Sequence, residues 1–210
     1  MNVSTLINAF SQKRLQPYIN RFKGDTKKAV NLYKDNILLS ESLYPSLSIL
    51  EITLRNSIHN VLKLRFNDDY WFKNCLHDDV IFSNSVKEAE KKILQSKKKL
   101  SSDHIISALN FSFWTILFNS KYQNLLWKHL RLAFPNLPKN KRKRQIVASK
   151  LNSLRKLRNR IYHYEPICWN LKALDNHYIS IIELINWLNE DIAVWVQEID
   201  RFKKVLKELK

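Results

Sequence analysis

Apolar residues recur along most of the chain at the three- and four-residue spacing of amphipathic helices. The clearest stripe starts after Ser46 or Ser48 and ends before Asn67, with apolar positions Leu47, Leu50, Leu54, Ile58, Val61 and Leu62. The chain has a single glycine, Gly24, whereas hairpins and phosphate-binding loops need several. These patterns predict an all-α protein and exclude a P-loop or a dinucleotide-binding fold.

Capping residues and composition divide the N-terminal half into further helices. After the turn at Gly24, a helix capped by Asp25 and Thr26 is predicted to run to about Leu39. A lysine-rich, solvated helix is predicted over residues 85–100, and the next helix is predicted to be capped by Ser101, Ser102 and Asp103. The stretch from Phe111 to Trp127 is too aromatic for a surface and is therefore assigned to the core.

The C-terminal half contains two long helical patterns. One follows Pro138 and is predicted to end near Tyr164, because a residue before a proline avoids the helical region. The other is a long C-terminal helix from about 171, whose apolar positions follow a heptad repeat: Ile181, Ile185, Leu188, Ile192, Trp195, Ile199, Phe202, Leu206 and Leu209. This helix packs either on the domain core alone or also against a partner subunit.

We predict an N-terminal helical region over residues 1–100 and a helical bundle over residues 101–210, with one continuous domain as the alternative. Cys75 and Cys168 are isolated and are predicted to be reduced and structural. The histidines form no HExxH motif and none lies at zinc-site spacing from a cysteine. No metal site and no cofactor are therefore predicted.

The composition is strongly basic, with 36 Lys and Arg against 19 Asp and Glu and a net charge of +17. This excess is larger than solubility requires and indicates a polyanionic partner, of which nucleic acid is the commonest. A membrane surface is the alternative. However, the sequence has no obvious apolar run of about twenty residues, no signal-peptide start and no lipidation motif. We therefore predict a cytoplasmic protein without membrane contact.

The positive charge is concentrated between residues 139 and 164, a stretch without any acidic residue. Its candidate RNA-binding side chains are basic or aromatic: Lys141, Arg142, Lys143, Arg144, Arg155, Arg160, Tyr162 and Tyr164. Phosphate binding by such a surface is strongly salt-dependent. A merely solvated helix face is the other interpretation of the same run.

The basic stretch ends in three candidate catalytic residues, Arg158, Asn159 and His163. RNA cleavage by the 2′-hydroxyl needs one proton removed and one supplied, which a histidine can do near neutral pH. An arginine can stabilise the charge that develops on the phosphorus, and Asn159 can either orient the histidine or hydrogen-bond the phosphate. Five residues apart, Arg158 and His163 lie on different faces of a straight helix. They converge only if the helix ends there or if a second subunit contributes.

The spacing Arg158-Asn159-x-x-x-His163 resembles the arginine–histidine motif of HEPN domains, a family of small helical RNases and RNA-binding modules. The wider pattern is similar to the Abi-like (abortive infection) proteins of bacteria, through segments 50–56, 111–114 and 154–167. This resemblance implies a HEPN-like helical bundle and a metal-independent endoribonuclease toxin. It also implies a homodimer in which two motifs meet, and an RNA or protein antitoxin, of which the positive charge favours RNA.

Two other functions are open at this point. The first is a non-catalytic HEPN-type RNA-binding protein that acts with a small non-coding RNA. The second is a dimeric partner protein whose heptad helix is its main feature.

A second group, Glu51, Arg55, Asn56 and His59, lies on the helix that carries the clearest stripe. Glu51 and Arg55 are four residues apart, so a structural ion pair along one helix face is our preferred interpretation. The functional alternative is that Arg55, Asn56 and His59 line the same RNA cleft as the motif.

Overall fold

The computed structural model describes residues 3–74 and 79–209, and every regular element within these ranges is helical. The predicted all-α class is therefore confirmed. The α-helices are α1 Val3–Phe10, α2 Gln12–Arg21, α3 Thr26–Phe66, α4 Trp71–Asn74, α5 Val80–Gln95, α6 Ser102–Ala108, α7 Phe111–Ile116, α8 Lys128–Leu130, α9 Arg144–Tyr162, α10 Leu171–Leu188, α11 Glu190–Ile199 and α12 Phe202–Glu208. Between α7 and α9 lie 3-10 helices at Ser120–Tyr122, Arg131–Ala133 and Lys139–Lys141 and a π-helix at Gln123–Trp127.

Helix α3 is a single 41-residue helix, so the predicted interruption between Leu39 and Ser46 is wrong. Its predicted ends are confirmed, since Asp25 caps the Lys28 N–H and Asn67 takes a left-handed conformation. Pro45 lies inside the helix and costs about 3 kcal/mol. The buried leucines at 39, 43, 47 and 50 contribute about 2 kcal/mol each and outweigh that cost.

The core of the molecule is built around α3, which packs against α2, α7, α10, α11 and α12. The aromatic stretch contributes Phe111, Phe113 and Trp114 to this core, as predicted. A single hydrophobic cluster takes buried residues from both sides of the boundary predicted at residue 100. The two predicted regions therefore share one core. Cys168 lies in it as a free thiol, whereas Cys75 is outside the described residues.

Helix α3 also meets the length and composition test for a membrane span, with an 18-residue window of mean hydropathy 1.2. It is the one helix of the described residues that does so, and the sequence prediction had not identified it. The central helix of a soluble core meets the same test, and 39% of that window is buried inside the fold. The contacts of α3 with the helices around it place it at the centre of this fold.

The predicted long C-terminal helix is wrong, because the segment forms α10, α11 and α12 instead. Asn189 is extended at the first break, and its side chain accepts the Ile192 N–H at 3.0 Å. Asparagine competes for backbone hydrogen bonds in this way and so starts a new helix inside an unbroken apolar pattern. The heptad seam is consequently divided: Ile181 and Ile185 are buried, whereas Trp195 and Ile199 are exposed.

Candidate active site

Helix α9 brings the predicted motif to the molecular surface. Its buried face is formed by Val147, Leu151, Leu154, Leu157 and Ile161, which pack towards α7 and α10. The helix ends at Tyr162, close to the predicted end, and His163 is its C-cap residue. The next two residues close the helix, since the Tyr164 N–H bonds the Ile161 carbonyl and the Glu165 N–H bonds the Arg160 carbonyl. This pattern is a Schellman motif, in which Tyr164 takes the left-handed position with φ 58°.

The exposed His163 side chain extends from this helix end. Its backbone N–H donates to the Asn159 carbonyl at 2.9 Å. The Asn159 side chain is partly buried and makes no hydrogen bond within the described residues. Asn159 therefore holds the histidine through its backbone, and its amide group is available to a ligand.

Arg158 is held on two sides. Its Nε atom lies 3.5 Å from Glu51 Oε2 of α3, and its guanidinium carbon lies 3.9 Å from the centre of the Tyr162 ring. Both partners of the ion pair are shielded, with side chains 23% and 22% exposed. The buried Nε atom has no aligned hydrogen bond to any described residue. Arg158 is thus positioned by charge and stacking and keeps hydrogen-bonding capacity.

The predicted Glu51–Arg55 pair is corrected by this geometry. Arg55 Nε donates to Asn56 Oδ1 at 3.2 Å, and Glu51 pairs across to α9 with Arg158. Burial raises the pKa of Glu51, while the positive charges of Arg158 and Arg55 oppose that rise. The tertiary approach of α9 to α3 has replaced the local pairing that a four-residue spacing favours.

Arg158 and His163 are not joined by any hydrogen bond, ion pair or ring contact in the described part of the chain. The helix ends at Tyr162, between the two residues and two residues before the predicted end near Tyr164. The end of α9 therefore does not by itself bring the two side chains into contact.

Three residues that the sequence patterns did not indicate fix the motif's helix end. Arg14 of α2 donates to the Tyr164 carbonyl at 2.8 Å and contacts the His163 carbonyl at 3.4 Å. Buried Asn36 accepts the Ile167 N–H at 2.6 Å and so anchors the following turn to α3. Tyr44 packs against Tyr162, with 6.4 Å between the ring centres. Only Asn36 had a signal in the sequence, as a polar residue within an apolar helix face.

Several predicted RNA-binding residues also hold the fold together. Arg160 donates to the Pro166 carbonyl and lies 3.7 Å from Glu165. Arg155 is half-buried, and its Nε atom is buried without a described hydrogen-bond partner. The exposed rings of Tyr162 and Tyr164 border a groove of about 610 Å³ between α3 and the end of α9. Exposed aromatic rings of this kind can stack on unpaired bases.

The basic cluster, Lys141 to Arg144, lies at the other end of α9. The 19-residue length of the helix separates it from Tyr162 by about 27 Å. Lys141 and Lys150 both pair with Glu183, at 2.5 and 2.6 Å. Arg142 donates to a backbone carbonyl, and Arg144 donates to the Phe118 carbonyl at 2.7 Å. Lys143 is exposed and is the member of the cluster without such a contact.

These contacts sharpen the test of RNA binding by the basic cluster. We expect Lys143→Ala to lower the log–log salt slope of RNA affinity by about one unit or less without changing the melting temperature. Arg144→Ala should lower both the salt slope and the melting temperature, because it also breaks two hydrogen bonds to the fold. Lys204→Ala, an exposed lysine on α12, is the charge-matched control. If Lys143→Ala and the control had equal salt slopes of RNA affinity, the basic cluster would be identified as a solvated surface.

The possible second cleft group lies further along α3. His59 is buried, and its Nδ1 atom accepts a hydrogen bond from the Trp71 indole N–H at 3.1 Å. Burial, with the nearby charge of Lys63, lowers the pKa of His59. Arg55, Asn56 and His59 border one pocket that does not include Arg158 or His163. The two candidate groups are therefore neighbouring sites and not one cavity.

In the described residues, no three His, Cys, Asp or Glu side chains are grouped so that they could hold a metal ion. Comparison of the chain with protein-family models, with curated proteins and with solved structures gives no significant match.

Proposed function

We propose that this protein is a metal-independent endoribonuclease of HEPN type that acts in a bacterial abortive-infection or toxin–antitoxin system. The observation that carries the proposal is the end of α9. There an exposed His163 follows an arginine that is held by Glu51 and Tyr162, beside a tyrosine-lined groove. The net charge of +17 supports RNA as the substrate.

The chemistry assigns one role to each motif residue. His163 removes the proton of the attacking 2′-hydroxyl or protonates the leaving 5′-oxygen. Arg158 stabilises the extra negative charge on the pentavalent phosphorus. Asn159, whose side-chain amide makes no hydrogen bond to the described residues, binds a phosphate oxygen or a base edge. Incubation of the purified protein with total RNA in EDTA tests this proposal, and we expect products that end in a 2′,3′-cyclic phosphate.

We further propose a homodimer in which two motifs face each other. Arg158 and His163 of one chain make no contact with each other in the described residues, and this supports the dimer, because a second copy can supply the missing partner for each residue. A cytoplasmic location and an RNA antitoxin that covers the basic surface complete the proposal.

Subunit complementation tests this arrangement. Arg158→Ala and His163→Ala proteins should each be inactive, and a mixture allowed to exchange subunits should regain part of the cleavage rate. The mixed dimer keeps one intact Arg158 and one intact His163, on different chains. Sedimentation of each variant alone is the control for assembly. A monomeric wild-type protein with full activity, or a mixture without activity, would contradict the dimeric site.

The alternative is a non-catalytic RNA-binding protein that acts with a small non-coding RNA. The Glu51–Arg158 ion pair is the observation that favours it, since a paired arginine is less available to a phosphate. In this case RNA would be bound and left intact.

A further inference from the structure

Helices α3 and α6 enclose a polar pocket of about 350 Å³ that the cleavage chemistry does not use. The wall from α3 carries Arg55, Asn56, His59 and Asn60. The wall from α6 carries Asp103, Ile106 and Ser107, and Ile106 is the one apolar residue of the lining. The groove beside Tyr162 is lined mainly by aromatic and aliphatic side chains, so the two cavities select different chemistry.

The histidine of this pocket presents a fixed donor. The Trp71 indole N–H is a donor only, so the Nδ1 atom that it meets at 3.1 Å must carry a lone pair. The lowered pKa of buried His59 favours the neutral ring, whose single proton is then on Nε2. Trp71 itself is fully buried and fixes the ring orientation. His59 therefore lines the pocket as an N–H donor of one defined tautomer.

The remaining polar groups complement that donor. Arg55 Nε donates to Asn56 Oδ1. The amide NH₂ group of Asn56 and the two terminal nitrogens of Arg55 take no part in this bond and remain as donors. Asp103, on the other helix, offers only carboxylate acceptors. A bare phosphate would be repelled by Asp103 and a metal ion by Arg55. A planar group that carries a hydrogen-bond donor beside an acceptor can bond to the polar side chains of both walls, and Ile106 provides an apolar contact for its face.

The pocket also lies next to the proposed cleavage site. Arg55 follows Glu51 by one turn of α3, a rise of about 6 Å. The charges of Arg158 and of Arg55 both act on the Glu51 carboxyl, so the motif arginine and the arginine of the pocket lie near the same carboxyl group.

We propose that this pocket binds one unpaired nucleobase of the RNA strand, a base that carries an exocyclic amino group. The inference rests on the proposed function, because it assigns the base next to the cleaved phosphate. Adenine, cytosine and guanine each place an amino donor beside a ring or carbonyl acceptor, which matches Asp103 on one wall and the donors on the other. Uracil has no amino group, and its one ring N–H lies between two carbonyl oxygens that a carboxylate repels.

Binding of short RNAs to the His163→Ala protein tests the proposal without any need for cleavage. The probes are a uridine heptamer and three heptamers with a central A, C or G. We expect the three substituted heptamers to bind about tenfold more tightly, which is within the range of a specific base contact. Asp103→Asn should reduce that preference to about twofold or less, and Arg55→Gln should weaken binding of the substituted heptamers in a protein whose melting temperature is checked. Asp191→Asn, an exposed carboxylate on α11, is the charge-matched control and should keep the preference.

Equal affinity for all four heptamers, or an equal effect of Asp103→Asn on all of them, would overturn the proposal. Adenosine monophosphate that binds as tightly as the A-containing heptamer would assign the pocket to a free nucleotide and would also overturn it. The cleavage proposal and the base-binding proposal can be contradicted independently of each other. Loss of base preference leaves the cleavage test unaffected, and cleavage that survives His163→Ala leaves the binding test intact.

Discussion

The His163→Ala protein is expected to lose RNA cleavage by a factor of about 100 to 10,000, the usual cost of removing a positioned acid–base group. The fold should not change, because the described contacts of His163 within the chain are made by its backbone N–H and carbonyl. Cleavage rates in EDTA and the helical content by circular dichroism are the two measurements. The first should fall and the second should stay at the wild-type value.

His104→Ala is the matched control for this experiment. His104 is also exposed, and the hydrogen bond that its ring makes among the described residues goes to the Lys99 carbonyl, at 2.7 Å. Its loss should leave cleavage unchanged. Wild-type cleavage by the His163→Ala protein, or a requirement for magnesium, would exclude the proposed chemistry and favour the RNA-binding alternative.

The helix that carries the motif could be predicted almost completely from local signals. Its apolar stripe and Pro166 set the boundaries of α9, and both signals act within a few residues. The continuity of α3 could not be predicted in the same way. Pro45 is a local helix breaker, and only the burial of leucines against distant helices outweighs it. At Asn189 the local signal outweighs the apolar pattern instead, since a side-chain cap ends a helix within a regular apolar repeat.

The site shows the same division between local and distant causes. The sequence places Arg158 and His163 at a helix end because their positions depend on one helix alone. The partner of Glu51 depends on how α9 crosses α3, so the four-residue rule selected Arg55 incorrectly. Arg14 contacts His163 and Tyr164 across 149 and 150 residues of sequence, and no pattern in one sequence indicates such a contact.

Removal of Arg158 is the second change for which we expect a large effect. Arg158→Ala should lower cleavage by a factor of about 100 to 1,000, the range for loss of one charge-stabilising donor. It should also leave the shielded Glu51 carboxylate without its nearest cation, because the charge of Arg158 is the main influence that lowers the pKa of that group. The pKa of Glu51 in the folded variant should therefore rise further above its unfolded value.

This rise gives the variant a defined pH dependence. A carboxyl whose folded pKa is raised destabilises the fold when it is ionised, so stability is lost as pH rises through the unfolded and then the folded pKa. The melting temperature of Arg158→Ala should therefore recover towards the wild-type value as the pH falls from 7 towards 5. The double variant Glu51→Gln, Arg158→Ala carries no carboxyl at this position and should lack that recovery. A loss of stability with the same pH profile in both variants would exclude Glu51 as its cause.

Glu51→Gln alone separates the two possible roles of Arg158. If the arginine stabilises the transition state, this variant keeps the positive charge and the contact with Tyr162, and cleavage should stay within about tenfold of the wild-type rate. If the arginine serves only as the partner of Glu51, Glu51→Gln and Arg158→Ala break the same ion pair and should reduce activity equally. Single-turnover cleavage at saturating protein distinguishes these outcomes, because it measures the chemical step separately from RNA affinity. An equal loss in both variants would assign Arg158 to the structure of the helix end and would leave the catalytic proposal without its charge-stabilising group.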